Sequence, residues 1–247
     1  MNELGAYLKP VTNRLVLVCV LAFFVVDGVF KGTPSGLELY FFENPDFRYH
    51  QLITSIFMHG GLTHLALNMI ALWSFGQVLE KVWGAQRLLF FFLACGVGAG
   101  AISLVINAMS FDSSYQNLIN LGANSHELSR LLADGQISSS LMDLSSREAL
   151  SELYYLYNAP MVGASGAIYG ILVAFALLFP NFKVQLIFLP IPIAARYFVP
   201  VLLMVDVVAG FTGFSIFGLN IAHFAHVGGA IVGAILVYFW TWQLRSH

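Results

Sequence analysis

Six stretches of the chain are almost continuously apolar, at about 13–30, 62–79, 86–108, 164–179, 197–212 and 222–242. Each is close to the length a helix needs to cross a hydrocarbon core of roughly 30 Å. The pattern predicts an all-α membrane protein with six transmembrane helices in a single domain, 1–247. Between the first two runs, GTPSGLELYFFENPDFRYHQL mixes aromatic with polar residues, the composition of a segment lying at the outer interface. The stretch 110–160 is rich in Ser, Asn, Asp and Glu, yet Leu128, Leu131 and Leu132, then Leu150, Leu153 and Leu156, recur at helical spacing. It predicts an extended outer loop containing one or two short amphipathic helices. Three prolines in FPNFKVQLIFLPIPIAARYF exclude one straight helix there and start the fifth span after Pro192. No repeat relates the two halves of the sequence, which argues against a transporter built from paired halves.

Composition agrees with the pattern: 58% of residues are hydrophobic and only 10% charged, against roughly 25% in soluble domains. Asp27, Lys31 and Pro34 follow the first run where a secretory signal would carry a small-residue cleavage site, so an uncleaved span is expected. With the N- and C-termini cytoplasmic, the inside segments carry Lys9, Arg14, Lys81, Arg87, Lys183, Arg196 and Arg245. The outside segments carry Lys31, Arg48, Arg130 and Arg147. The excess of cations inside favours this orientation. Cys19 and Cys95 lie within apolar runs without metal-like spacing and are expected to be packing residues. A net charge of -2 without a basic stripe argues against a nucleic-acid partner.

Polar groups inside apolar spans are costly and mark candidate sites. The second span opens FMHGGLTHLALNMIALWSFG, with His64 and Asn68 one turn apart on one face. Two such donors can hold a developing oxyanion, or serve as interhelical hydrogen bonds. The sixth opens NIAHFAHVGGAIVGAILVYF, with His223 and His226 above a small-residue face of Gly229 and Gly233. The fourth span carries the complementary pair Gly166 and Gly170, directly after Ser165. If these faces meet, Ser165 comes within reach of the His226 imidazole, the minimum for a base-activated nucleophile. The fourth run, from Ser165 to Phe179 before Pro180, covers about 22 Å as a helix, short of the bilayer core. Ser165 then lies below the outer surface, facing a wet cavity. Gly163 provides backbone freedom that aims the Ser165 amide into the same cavity. Tyr169, one turn below Ser165, is placed to stack on His226. No carboxylate lies near either histidine in sequence, and Asp206 falls in the middle of the fifth span, so a Ser-His dyad is expected and not a triad. No metal is expected: there is no His-Glu-x-x-His, and the five-residue spacing of His59 and His64 sets them about 140° apart on a helix. A haem between His64 and His226 would leave Gly-Ala-Ser-Gly without a role.

HGGLTHLALNM followed by GQVLEKVWG, then GASGAIYG and AHVGGAIVG, together resemble the rhomboid intramembrane serine proteases, over about 45–245. The resemblance implies a six-helix rhomboid-like bundle opening outward, with Ser165 as nucleophile and His226 as base. It further implies an oxyanion hole of His64, Asn68, Gly163 and the Ser165 amide, and Tyr169 stacked on His226. No cofactor is implied, and the partners are transmembrane protein substrates and the lipid bilayer. Glu80 matches a position that ties the inner end of the second helix. Many members carry a Trp-Arg pair in the first loop where this chain has His50 and Gln51, so no anchoring role is carried over to these two. The loop 213–221, with Gly213 and Gly218, is expected to act as a lid beside a gating fifth helix. The alternative is a non-catalytic rhomboid-like protein that retains transmembrane clients through the same opening. With no organelle-targeting segment before the first helix, a bacterial cytoplasmic membrane is expected.

Overall fold

The computed structural model describes residues 9–30, 35–186, 189–212 and 222–245. The described chain runs α1 (Val11–Phe30), α2 (Gln51–Thr54) with a 3-10 turn Ser55–Phe57, α3 (Leu62–Trp83), α4 (Ala85–Asn120), α5 (Ser125–Asp134), α6 (Ser139–Leu144) and α7 (Arg147–Asn158). It continues as α8 (Ser165–Leu178), β1 (Lys183–Leu186), β2 (Leu189–Ala194), α9 (Ala195–Thr212) and α10 (His223–Arg245).

One feature corrects the all-α expectation, and a second bears on the number of spans. The proline-rich stretch before α9 is an antiparallel hairpin pairing Lys183 with Ala194 and Val184 with Ile193, so the chain is mostly helical and not all-α. Proline removes a backbone donor, which a two-stranded ribbon tolerates on its open edge and a helix interior does not. In addition, four described helices (α3, α4, and Ala195–Thr212 and His223–Thr241 of α9 and α10) are long and apolar enough to cross a membrane, while Val11–Val26 and Ser165–Leu178 are shorter apolar helices. The 14 residues of α8 cover about 21 Å. Its first turn is preceded by irregular backbone at 159–164 instead of more helix.

The third apolar run does not stop near 108. Helix α4 is 36 residues long, about 54 Å, and its last turns leave the apolar bundle. There Phe111 and Leu118 pack with Leu128, Leu131, Leu141, Leu150 and Leu153 of α5, α6 and α7 into a separate small core. Each short helix opens on a capping side chain: Asn124 accepts from the His126 amide, Ser138 from Leu141 and Ser146 from Ala149.

Helix α8 is the axle of the bundle, packed against α3, α4, α9 and α10. Its Gly166, Ala167, Gly170, Ile171 and Ala174 are buried, whereas Val201, Met204, Val208 and Phe211 on α9 and Ile231 and Ile235 on α10 are exposed. Small residues inside and large apolar ones outside is the arrangement of helices packing closely in lipid. At the end opposite Ser165, the Glu80 carboxylate accepts from the amides of Val11 (2.7 Å) and Thr12 (2.9 Å) and from the Thr12 hydroxyl (2.7 Å). A carboxylate at these orphan amides caps α1 and complements its dipole, fixing α1 to α3.

Candidate active site

The loop before α8 is pinned on both sides. Leu39 and Met161 exchange backbone hydrogen bonds of 3.0 and 2.8 Å, and the Gly163 amide donates to the Ser55 carbonyl at 2.9 Å. Gly163 has φ +125, and a Cβ there would lie 2.8 Å from both Cε1 and Nε2 of His64 and 3.6 Å from the Ser165 hydroxyl. Only glycine allows this turn and this contact. It brings Gly163, His64 and Ser165 together. Ser165 is the first residue of α8, so its amide is one of the four that a helix leaves without an internal acceptor.

The segment 36–51, which carries the Leu39 that pairs with Met161, is held by buried Gln51. Its side-chain oxygen accepts from the amides of Tyr40 (3.3 Å) and Arg48 (3.1 Å), and its amide nitrogen donates to the carbonyls of Gly36 (3.3 Å) and Asp46 (2.8 Å). His50 adds a contact from Nε2 to the Gly36 carbonyl at 3.2 Å. The first loop is therefore anchored at these two positions after all, by an amide instead of a Trp-Arg pair.

Helices α8 and α10 meet through their glycines: a Cβ on Gly229 would lie 1.9 Å from the Gly166 carbonyl oxygen, and one on Gly233 2.7 Å from the Gly170 Cα. This approach sets His226 Nε2 2.9 Å from Ser165 Oγ. The imidazole is buried and stacks on Tyr169, with ring centroids 4.2 Å apart and planes 10° from parallel. Asn68, on α3, is also buried, and its amide nitrogen has no hydrogen-bond partner among the described residues. An unsatisfied donor in such surroundings costs about 1–3 kcal/mol, which makes Asn68 a candidate site residue.

His64 lies edge-on to His59, centroids 5.2 Å apart. His59 precedes α3 and bonds the Phe57 carbonyl through Nδ1 at 3.2 Å. Burial, with His64 beside it, pushes the His59 imidazole down to about 4. His59 is consequently uncharged through the neutral range.

Asp206 is where the structure departs from the dyad expectation. Its Oδ1 lies 3.0 Å from His226 Nδ1 and 2.6 Å from His223 Nδ1, and Oδ2 accepts from the Tyr169 hydroxyl. Helices α8, α9 and α10 thus build a chain Ser165–His226–Asp206. The carboxylate is 41 residues from the serine and 20 from the histidine in sequence, so spacing alone did not pair them. The usable signal was its cost: a carboxylate in an apolar span needs partners. Asp206, His223 and His226 also present ligand atoms within 4.8 Å of one another, a donor set able to hold a divalent metal. The expected lid, 213–221, lies outside the described residues.

Residues 46–243, most of the chain, match the family described as Rhomboid domain. The chain belongs to the rhomboid family. Among rhomboid relatives, it is 26% identical over 189 residues to Rhomboid protein 1, mitochondrial, of Saccharomyces cerevisiae, covering 76% of this chain and 40% of that protein. It is 30% identical over 188 residues to RHOMBOID-like protein 12, mitochondrial, of Arabidopsis thaliana, covering 76% and 45%. A shorter match, 40% over 57 residues, covers 23% of this chain and 11% of Rhomboid protease GluP of Bacillus subtilis. The chain spans less than half the length of each of these three rhomboids. The relatives aligned over most of the chain are mitochondrial, and this overturns the expectation of a bacterial cytoplasmic membrane.

Proposed function

We propose that this rhomboid is an intramembrane serine endopeptidase that cleaves transmembrane proteins near the outer membrane face. The observation that carries the reading is the 2.9 Å contact of Ser165 Oγ with His226 Nε2 in buried surroundings at one end of an apolar bundle. In this reading α1 and α8 also span the bilayer, giving six spans with both termini cytoplasmic. Supporting it, Lys81 and Arg87 lie at the turn between α3 and α4, opposite the Ser165 end, with Arg87 5.2 Å over the Trp240 ring. Cations beside an interfacial tryptophan suit the cytoplasmic surface.

The chemistry follows from the atoms in place. Ser165 Oγ attacks the scissile carbonyl carbon while His226 Nε2 takes its proton. The carbonyl oxygen, now carrying the negative charge, turns toward the Asn68 amide, His64 and the Ser165 N–H. His226 then protonates the leaving nitrogen, and water, deprotonated by the same imidazole, hydrolyses the acyl ester. Each oxyanion donor is typically worth about 10²- to 10³-fold in rate. Asn68→Ala is therefore expected to lower kcat by about that factor and leave a measurable residue. Unchanged kcat in a reconstituted cleavage assay would remove Asn68 from the site.

A fluorophosphonate tests the nucleophile without a known substrate. Labelling of the purified protein in lipid, with the adduct mapped by mass spectrometry, is expected at Ser165. No adduct, or one elsewhere, would refute the assignment, and client binding by an unlabelled native protein would favour the non-catalytic reading.

A further inference from the structure

We propose that Asp206 is the positioning residue of the candidate base, holding His226 in the tautomer that can accept the Ser165 proton and tying the stacked Tyr169 to the same carboxylate. The proposal rests on the reading of Ser165 and His226 as nucleophile and base. Asp206 is buried, at 5% exposure, on a helix whose neighbouring residues Met204, Val205 and Val208 face outward and are apolar. A carboxylate in that setting is stabilised only by the groups it binds. Among the described residues these are three: the Tyr169 hydroxyl on Oδ2, and the Nδ1 atoms of His223 and His226 on Oδ1.

An ionised carboxylate only accepts hydrogen bonds, so the proton of a neutral His226 must sit on Nδ1, the nitrogen 3.0 Å from Oδ1. Nε2, 2.9 Å from the serine hydroxyl, is then the unprotonated nitrogen, with its lone pair toward Oγ. When Nε2 takes the proton, the imidazolium faces the Asp206 charge, and no proton need move to the carboxylate. Tyr169 adds a second constraint: its ring lies 4.2 Å from the imidazole face and its hydroxyl is fixed to Oδ2. The ring of His226 is held at its edge and on its face by contacts that converge on one aspartate. Because Ser165 and Tyr169 lie on α8, Asp206 on α9 and His226 on α10, this orientation exists only while α9 stays docked against both of the other helices. The other titratable neighbours of His226 are His223, on its own helix, and His64 of α3.

Asp206→Asn is the test, since it keeps the size and removes the charge and the acceptor-only character. Expected is a kcat reduced on the order of 10²- to 10⁴-fold with KM little changed, and Ser165 labelling by a fluorophosphonate slowed in parallel, because the wrong tautomer or an unsupported imidazolium follows. A variant with native kcat overturns the proposal, as does a loss expressed in KM and melting temperature alone, which a purely structural aspartate would give. If the variant does not fold, the native protein with ¹⁵N-labelled histidine decides: a His226 Nδ1–H tautomer in its spectrum supports the proposal and an Nε2–H tautomer overturns it. Activity lost on dialysis against EDTA and restored by Zn²⁺ would also overturn it, making Asp206, His223 and His226 a metal centre. Failure of the native protein itself to label at Ser165 is a separate result, which sinks the nucleophile reading and not the aspartate alone.

Discussion

Ser165→Ala is expected to reduce cleavage of a transmembrane substrate in proteoliposomes to background, a loss of at least about 10⁴-fold, while insertion and melting temperature stay near those of the parent. Removing the nucleophile of a serine hydrolase costs up to about 10⁶-fold in kcat, and what remains comes from binding and the oxyanion donors. Those donors attached to α3 are untouched by the substitution. Structurally the change deletes one side-chain hydrogen bond, worth about 1 kcal/mol, in a helix whose buried contacts come from Gly166 onward. A large activity loss with a small stability loss separates chemistry from folding. Cleavage at the parental rate would show that another group attacks, and equal collapse of activity and melting temperature would make Ser165 a packing residue.

The parts of the fold that follow one-dimensional rules were legible. The apolar runs at 62–79, 197–212 and 222–242 fall within or along α3, α9 and α10, because a helix in lipid must satisfy its own backbone and expose apolar side chains. Helix α4 was cut short because FDSSYQNLIN reads as polar, although Phe111 and Leu118 lie two turns apart along one face and pack on a core outside the bundle. A polar segment looks like a loop until its sparse apolar residues find a partner surface. The hairpin at 183–194 was missed for a related reason: prolines announce that a helix stops, and they do not say what replaces it.

The candidate site divides in the same way. Ser165, Tyr169, Gly166 and Gly170 share one helix, and His226, Gly229 and Gly233 another, so two local motifs sufficed to nominate both halves. Gly163 was readable from the turn it must make before α8. Asp206 was not assigned, since its partners lie 37, 17 and 20 residues away and meet only when three helices assemble. Gln51 was passed over because the resemblance supplied a different residue pair at that place. Its four backbone contacts are a property of the folded loop and leave no spacing signature.

Gly229→Ala is expected to damage both activity and stability, though the residue carries no reactive group. The added Cβ would lie 1.9 Å from the Gly166 carbonyl oxygen and 2.6 Å from its carbon, both backbone atoms, so no rotamer change relieves the clash. The helices must separate by about 1 Å or more, and overpacking of this kind costs about 1–3 kcal/mol. Separation acts directly on the chemistry: Ser165 precedes Gly166 on α8, and His226 lies one turn before Gly229 on α10. A 2.9 Å contact lengthened by about 1 Å is no longer a hydrogen bond, and misplacement by that much can cost about 10²-fold in rate. The expected outcome is activity reduced by about 10²-fold or more, with a lowered melting temperature. Gly28→Ala serves as the control, because nothing among the described residues lies within 4 Å of a Cβ at Gly28 and alanine is the better helix former there. It should leave cleavage unchanged and stability equal or higher. Parental activity and melting temperature in Gly229→Ala would mean that α8 and α10 do not approach this closely, and the pairing of serine with histidine would lose its structural basis.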